Sequence, residues 1–347
     1  TKVCKRAIFC RRTNNLIMAN KTFKILTIDG GGIKGLYSSK IIEHLEEQFN
    51  CQISDYFDMI CGTSTGGILA LGLSLKLKAS VISNLYEQKG ISIFPKQNSK
   101  VALFKQLLGG GKYDDKNLRK ALIETFGNKK IADCNNLLCI PSYSYTDARP
   151  WVFKKDHKEN KLTRDNKAYC VDVALATAAA PTYFPLAEIN YYDSKQFVDG
   201  GIWANNPSLV GFIEAITYFV GEGKEFDSLK ILSISSLSSS SGKKTGLERY
   251  RSFKHWKSDL FEIMMTGQAK FNEYFMSQIH NFNNVPITFV RVPSEILSPE
   301  QQSIIQMDNA ELEAINLLKG KGNDMGVIWR KKQDIAQFFE KEKTYKF

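Results

Sequence analysis

The chain has 347 residues, 43% hydrophobic and 24% charged, which excludes disordered and collagen-like polymers and leaves length for one large core or two modest ones. Its 47 Lys and Arg against 36 Asp and Glu leave a net charge of +11, which favours an anionic partner such as a nucleic acid, a nucleotide or membrane headgroups without choosing among them. Cys4, Cys10, Cys51, Cys61, Cys134, Cys139 and Cys170 form no CxxC pair and partly lie in apolar runs, which points to reduced, buried thiols rather than a disulfide framework or a zinc site.

The N-terminal segment, residues 1–21, is basic and lacks the apolar core and cleavage site of a signal peptide. From Phe23 to Ile28 the composition favours a strand, broken by Asp29-Gly30-Gly31-Gly32. Tyr37, Ile41, Leu45 and Phe49 then recur at helical spacing. The three glycines remove every side chain before that helix, so its N–H groups can closely approach negative charge. A second strand, Phe57–Cys61, meets Gly62, and an apolar helix begins around Ser64. Two successive strand, glycine-turn, helix units predict a parallel sheet with helices on its faces.

Residues 80–89 and 117–126 read as helices, with a lid-like excursion over 90–113. Strands follow at Leu137–Tyr145 and Trp151–Phe153, and Lys154–Lys167 reads as a charged, solvated loop. Val171–Ala180 is a small-residue helix ended by Pro181. Gln196–Gly201 is a strand entering a turn, and Pro207 opens a helix reaching Val220. A strand at Leu229–Ser235 precedes a serine-rich surface loop over 238–241. In Tyr250–His280, Trp256, Leu260, Met264, Phe271 and Phe275 mark one helical face, expected to enter the core. A late strand, Val285–Val292, and helices at Asn309–Lys319 and from Ile335 complete the chain. No stretch approaches ~20 uninterrupted apolar residues, so no membrane-spanning helix is expected.

Gly30, Gly32 and Gly35 satisfy GxGxxG after a strand. Asp29 would sit against a pyrophosphate, however, and no strand-end acid follows at the ribose-binding distance. Gly62-Thr63-Ser64-Thr65-Gly66 supplies GxSxG, a spacing that bends the backbone tightly and lifts a serine Oγ above the sheet. None of His44, His157, His255 and His280 stands in a strand-end loop suited to activating that serine. Asp199 does, in Phe197-Val198-Asp199-Gly200-Gly201. A partly desolvated carboxylate there could act as base, and the N–H groups around Gly31 and Gly32, helped by Lys34, could meet the oxyanion of an attacked ester.

These motifs resemble those of the patatin-like phospholipases, lipid acyl hydrolases with a Ser-Asp dyad. The resemblance runs from residue 22 to 320 and rests on Asp29 through Gly35, Gly62 through Gly66, and Asp199-Gly200-Gly201 followed by Asn205-Asn206-Pro207. It implies an α/β three-layer sandwich around a mostly parallel sheet, with residues 321–347 as an extension packed on or near that domain. It further implies Ser64 as nucleophile, Asp199 as base, Gly31, Gly32 and Lys34 in the oxyanion site, and no metal or cofactor required for the chemistry. Ser235-Ser236-Leu237 departs from the Gly-Thr-Gly turn of many members.

The substrate implied is a membrane phospholipid at the bilayer surface, attacked by a cytoplasmic protein associating peripherally with the inner face. A narrower similarity, around Met307-Asp308-Asn309-Ala310, is to the bacterial phospholipase effectors of antiphage systems, which implies activation by a cyclic di- or trinucleotide and leaves room for self-association. Two readings stay open beside it: a general lipid or small-ester hydrolase using the same dyad, and a non-enzymatic dinucleotide- or lipid-binding module in which GxSxG is structural.

Overall fold

Eight strands form one mixed sheet in the computed structural model, which describes residues 21–96, 111–158, 161–237, 245–246, 248–250, 253–281 and 285–347. The strands are β1 Thr22–Ile28, β2 Met59–Gly62, β3 Leu137–Ser144, β4 Arg149–Lys154, β5 Ala187–Ile189, β6 Lys195–Asp199, β7 Ser228–Ile234 and β8 Ile287–Val292. Their order is β5-β6-β3-β2-β1-β7-β8, with β4 paired to the other edge of β3. The four pairings among β3, β2, β1, β7 and β8 are parallel, and those with β4, β5 and β6 are antiparallel.

The helices are α1 Gly35–Phe49, α2 Ile53–Tyr56, α3 Thr65–Ser74, α4 Ala79–Ile93, α5 Lys116–Phe126, α6 Cys170–Ala178, α7 Gly201–Ala204, α8 Ser208–Tyr218, α9 Phe253–Gln278, α10 Pro299–Ile304, α11 Leu312–Trp329 and α12 Gln333–Ala336. Each face of the sheet carries its own core, as the period-2 alternation of β1 requires. Leu26 and Ile28 join the cluster formed with α1, α3, α4, α5 and α6, while Phe23 and Ile25 join the opposite one with Phe212, Phe226 and Met276. The expected three-layer sandwich is therefore present. Every residue of α3 is buried, so this helix reads as apolar all round rather than amphipathic.

The registers of β3 explain where the candidate site residues meet. Cys139 pairs with Cys61 of β2 on one edge and with Lys154 of β4 on the other. Ser142 pairs with Asp199 of β6 and with Trp151 of β4. Since β4 occupies one edge throughout, β2 and β6 must share the other. β6 runs antiparallel to β3 and meets the end of β2 head-on, so the glycine turns that leave these two strands converge.

Three sequence expectations change. The segment 154–167 is not simply a solvated loop: buried Asp165 accepts hydrogen bonds from Lys154 N at 2.8 Å and Tyr192 Oη at 2.7 Å, and buried His157 lies 3.3 Å from Glu214. These carboxylates are charged in sequence but have partners from distant elements. Along α9, Trp256, Leu260, Met264 and Phe271 are exposed and Phe275 half-buried, because the helix docks through Met265, Asn272 and Met276 instead. Apolar residues lie on both sides of this helix, and periodicity alone does not say which side packs.

The helix expected over 309–319 extends to Trp329 and packs along α1, where Gly322 and Gly326 admit close approach to Tyr37, Lys40 and His44. Beyond it, Phe338, Phe339 and Tyr345 enter the core. Asp58 ties this segment down by accepting from Thr344 N at 2.8 Å and Tyr345 N at 2.7 Å. Residues 1–20, the greater part of the 90–113 excursion and the serine run 238–241 lie outside the described residues.

Candidate active site

β2 ends at Gly62, and the chain reverses into α3 with Ser64 at φ 55° and ψ −122°, a strained conformation for an L residue. The turn closes because its two glycines leave room for backbone. A Cβ on Gly62 would lie 2.0 Å from Gly66 O, and one on Gly66 would lie 2.2 Å from Ile28 O. Thr177 of α6 accepts from Ser64 N at 2.9 Å and donates to Pro141 O at 2.5 Å, which fixes the strained peptide from the neighbouring helix.

Ser64 Oγ donates to Asp199 Oδ2 at 2.7 Å. The second carboxylate oxygen accepts from Gly201 N at 2.7 Å, and Asp199 N donates to Ala179 O at 2.9 Å. Asp199 is wholly buried. Burial pushes its pKa up to about 7, opposed by the hydrogen bonds from Ser64 and Gly201. Gly200 permits the turn, since a Cβ there would lie 2.2 Å from Pro141 O.

The glycine loop after β1 passes beside this pair. Gly30 N donates to Asn205 O at 3.0 Å, and Ser236 Oγ donates to Gly30 O at 2.8 Å. Ser236, part of the tripeptide that departs from the family pattern, thus braces the loop. Gly32 has φ +60°, and a Cβ there would fall 2.2 Å from Met307 O, the atom that accepts Ile33 N at 2.9 Å. Among the described residues, the N–H groups of Gly31, Gly32 and Thr65 have no acceptor. Gly35 abuts Thr65, whose Oγ1 a Cβ would meet at 2.0 Å.

Asp29 has a charged partner of its own within the fold. It is forked by Arg291 of β8, at 2.6 Å from Nη2 and 3.2 Å from Nη1. Lys34 opens into a polar cavity of about 130 Å³ shared with Asn205, Glu262, Lys270 and Arg291, rather than into the slot at Ser64. Burial lowers its pKa, with nearby Glu262 acting in the opposite direction. The Ser64 slot is apolar, about 40 Å³, and is lined by Ile68, Ile93, Phe94, Leu118 and Phe184. Met307 touches both cavities. No histidine lines either cavity among the described residues: His44 packs against α11, His157 sits beside Glu214, and His280 is exposed.

A strained serine bonded to a buried carboxylate, beside unpaired N–H groups and an apolar slot, is an arrangement suited to attack on a fatty-acyl ester. The sequence profile described as patatin-like phospholipase matches residues 26–210, across all three motifs. The chain belongs to that family. Over 305 residues it is 32% identical to a cGAMP-activated phospholipase of Pseudomonas aeruginosa, covering 87% of each chain. A protein of the same name from Vibrio cholerae is 30% identical over 339 residues, covering 91% of this chain and 94% of its own. Patatin-like protein 2 of rice (Oryza sativa) is 32% identical over 230 residues, 59% of this chain and 56% of its own. Among solved structures, VipD from Legionella pneumophila aligns over 92% of this chain and 67% of its own, at 13% identity and a TM-score of 0.43.

Within this patatin-like chain, several residues at the site carry no motif of their own. Thr177 sits in a run of small residues, Arg291 in an ordinary strand, and the Met307 carbonyl in a loop; each is brought in by tertiary contact. The unpaired Thr65 N–H had a findable signal, as the residue following a GxSxG serine commonly donates to an oxyanion.

Proposed function

We propose that this chain is a phospholipase A that cleaves fatty-acyl esters of membrane glycerophospholipids through Ser64 and Asp199. The observation that carries the reading is the 2.7 Å bond from Ser64 Oγ to a fully buried Asp199. As Oγ attacks the ester carbonyl carbon, Asp199 takes its proton. The carbonyl oxygen gains the negative charge and is met by the N–H groups of Gly31 and Gly32, with Thr65 N–H beside them. Collapse of this tetrahedral species breaks the bond to the lysolipid alkoxide, which leaves with the proton held by Asp199. Water then attacks the acyl-enzyme, Asp199 accepts its proton, and the fatty acid departs as Ser64 is restored. The apolar slot at Ser64 suits the acyl chain.

The names of the Pseudomonas and Vibrio relatives, with coverage near the whole chain, support activation by a cyclic dinucleotide, and the +11 charge is compatible with such an anion. The activator must bind the active state more tightly than the resting one, since equal affinity would shift nothing. The catalytic test is covalent capture by a fluorophosphonate ester and release of fatty acid from phospholipid, with cGAMP supplied. Capture is expected in the parent and absent in Ser64→Ala; full hydrolysis by folded Ser64→Ala would remove the assignment. Unchanged activity of a nucleotide-free sample across a cyclic-nucleotide panel would remove the activation alone.

A further inference from the structure

We propose that the outward face of α9 is the surface by which the protein docks onto an anionic lipid bilayer. The occupant follows from the lipid-hydrolase reading above, while the face itself is independent of it. Trp256, Leu260, Ile263, Met264, Phe271 and Tyr274 are 40%, 47%, 53%, 44%, 63% and 68% exposed. At 3.6 residues per turn these positions fall within an arc of roughly 100°. Met265, Asn272 and Met276 lie on the opposite, buried side. Large apolar side chains gathered on one exposed face mark an interaction surface.

Two observations select a membrane as that partner. The first is charge: Arg249 to Ser258 holds Arg249, Arg251, Lys254 and Lys257 and no acid. A basic segment running into an apolar stripe bearing Trp and Tyr suits an anionic leaflet and disfavours close approach of its own copy. The second is position. On its inner side α9 contributes Glu262, Met265, Thr266 and Ala269 to the polar cavity against the Gly30–Lys34 loop. The opposite wall includes Pro293 and Ser294, and the same loop carries Ile296, 93% exposed. A bilayer seated on the stripe would therefore be separated only by this helix from the cavity that adjoins the Gly30–Lys34 loop.

The test is co-sedimentation of the full chain, as Ser64→Ala so that the bilayer stays intact, with vesicles of phosphatidylglycerol and phosphatidylcholine, cGAMP present throughout. The triple variant Leu260→Ser/Phe271→Ser/Tyr274→Ser is expected to lower partitioning by about tenfold or more. Both proteins should bind vesicles of phosphatidylcholine alone less well. Because the triple variant could misfold, Phe271→Trp gives a second reading: its added emission should shift to the blue on vesicles and be quenched by brominated acyl chains. Equal partitioning by parent and triple variant, or an added emission in Phe271→Trp that vesicles leave unchanged, would overturn the proposal. So would a triple variant that loses only self-association in sedimentation equilibrium, which would assign the stripe to a second copy. Failure of fluorophosphonate capture with vesicle docking intact would instead overturn the hydrolase reading and leave the surface in place.

Discussion

Around Ser64 the backbone is enclosed on all sides: glycine positions face carbonyl oxygens, and the strained peptide is held by Thr177. Along α9 the contact is a strip. Gln268 Oε1 accepts from Asn205 N at 2.6 Å, Asn272 Nδ2 donates to Asn206 O at 2.9 Å, and Met265 and Met276 pack beneath, while the outer face meets solvent. The first region holds a geometry that cannot shift by a methyl group. The second is joined to the Asn205-Asn206 turn by few bonds and presents apolar area outward. Preorganisation needs enclosure, whereas contact with a large, variable partner needs surface.

The sharpest way to break this contrast is at the enclosed end. Ser64→Ala should lower turnover of an activated lipid ester by about 10⁴-fold or more while the fold, checked by circular dichroism, persists, because the proposed nucleophile has no substitute. Asp199→Asn should lower it by roughly 10³-fold, with residual rate from the oxyanion donors. In the parent, kcat/KM should rise with pH through about 7, as the proposed base, Asp199, must be ionised.

The same residue makes an opposite prediction for stability. Its folded-state pKa lies above that of the unfolded chain, so the contribution present at acidic pH is lost as pH rises through about 7. Asp199→Asn should therefore be more stable than the parent at pH 8, by up to about 4 kcal/mol for a shift of this size, and no more stable near pH 4. Denaturant melts at both values check this; a variant equally stabilised at both would remove desolvation as the cause.

Between the two regions stands the Asp29–Arg291 fork. Arg291→Met leaves a buried carboxylate unpaired and should cost about 3–5 kcal/mol in chemical denaturation. On the α9 side the effects shrink. Gln268→Leu removes the acceptor of Asn205 N and should cost roughly 1 kcal/mol, with faster amide exchange in α9. Tyr274→Ser, on the exposed stripe, should change stability by less than about 0.5 kcal/mol. A large loss there would mean that the stripe already packs against the body.

The three glycine-marked turns, the strands that feed them and the parallel centre of the sheet were legible from residues alone, because a strand-to-helix reversal needs glycine wherever a Cβ would strike backbone. A Cβ on Gly62, Gly66 or Gly200 would lie only 2.0–2.2 Å from a carbonyl oxygen. The place of Asp199 at a strand end before Gly200-Gly201 was also open to sequence reasoning, since that pattern is local. Three matters were decided only by tertiary structure. Asp29 and Arg291, 262 positions apart, pair because β8 lies beyond β7 on the same sheet. Lys34 turns to the polar cavity because the loop is fixed by Met307 and Asn205. The face of α9 that packs was undetermined because apolar residues occur on both sides of it. Local pattern specifies where the backbone must turn; which distant group satisfies a buried charge, and which side of a two-sided helix is covered, depends on elements that meet only after folding.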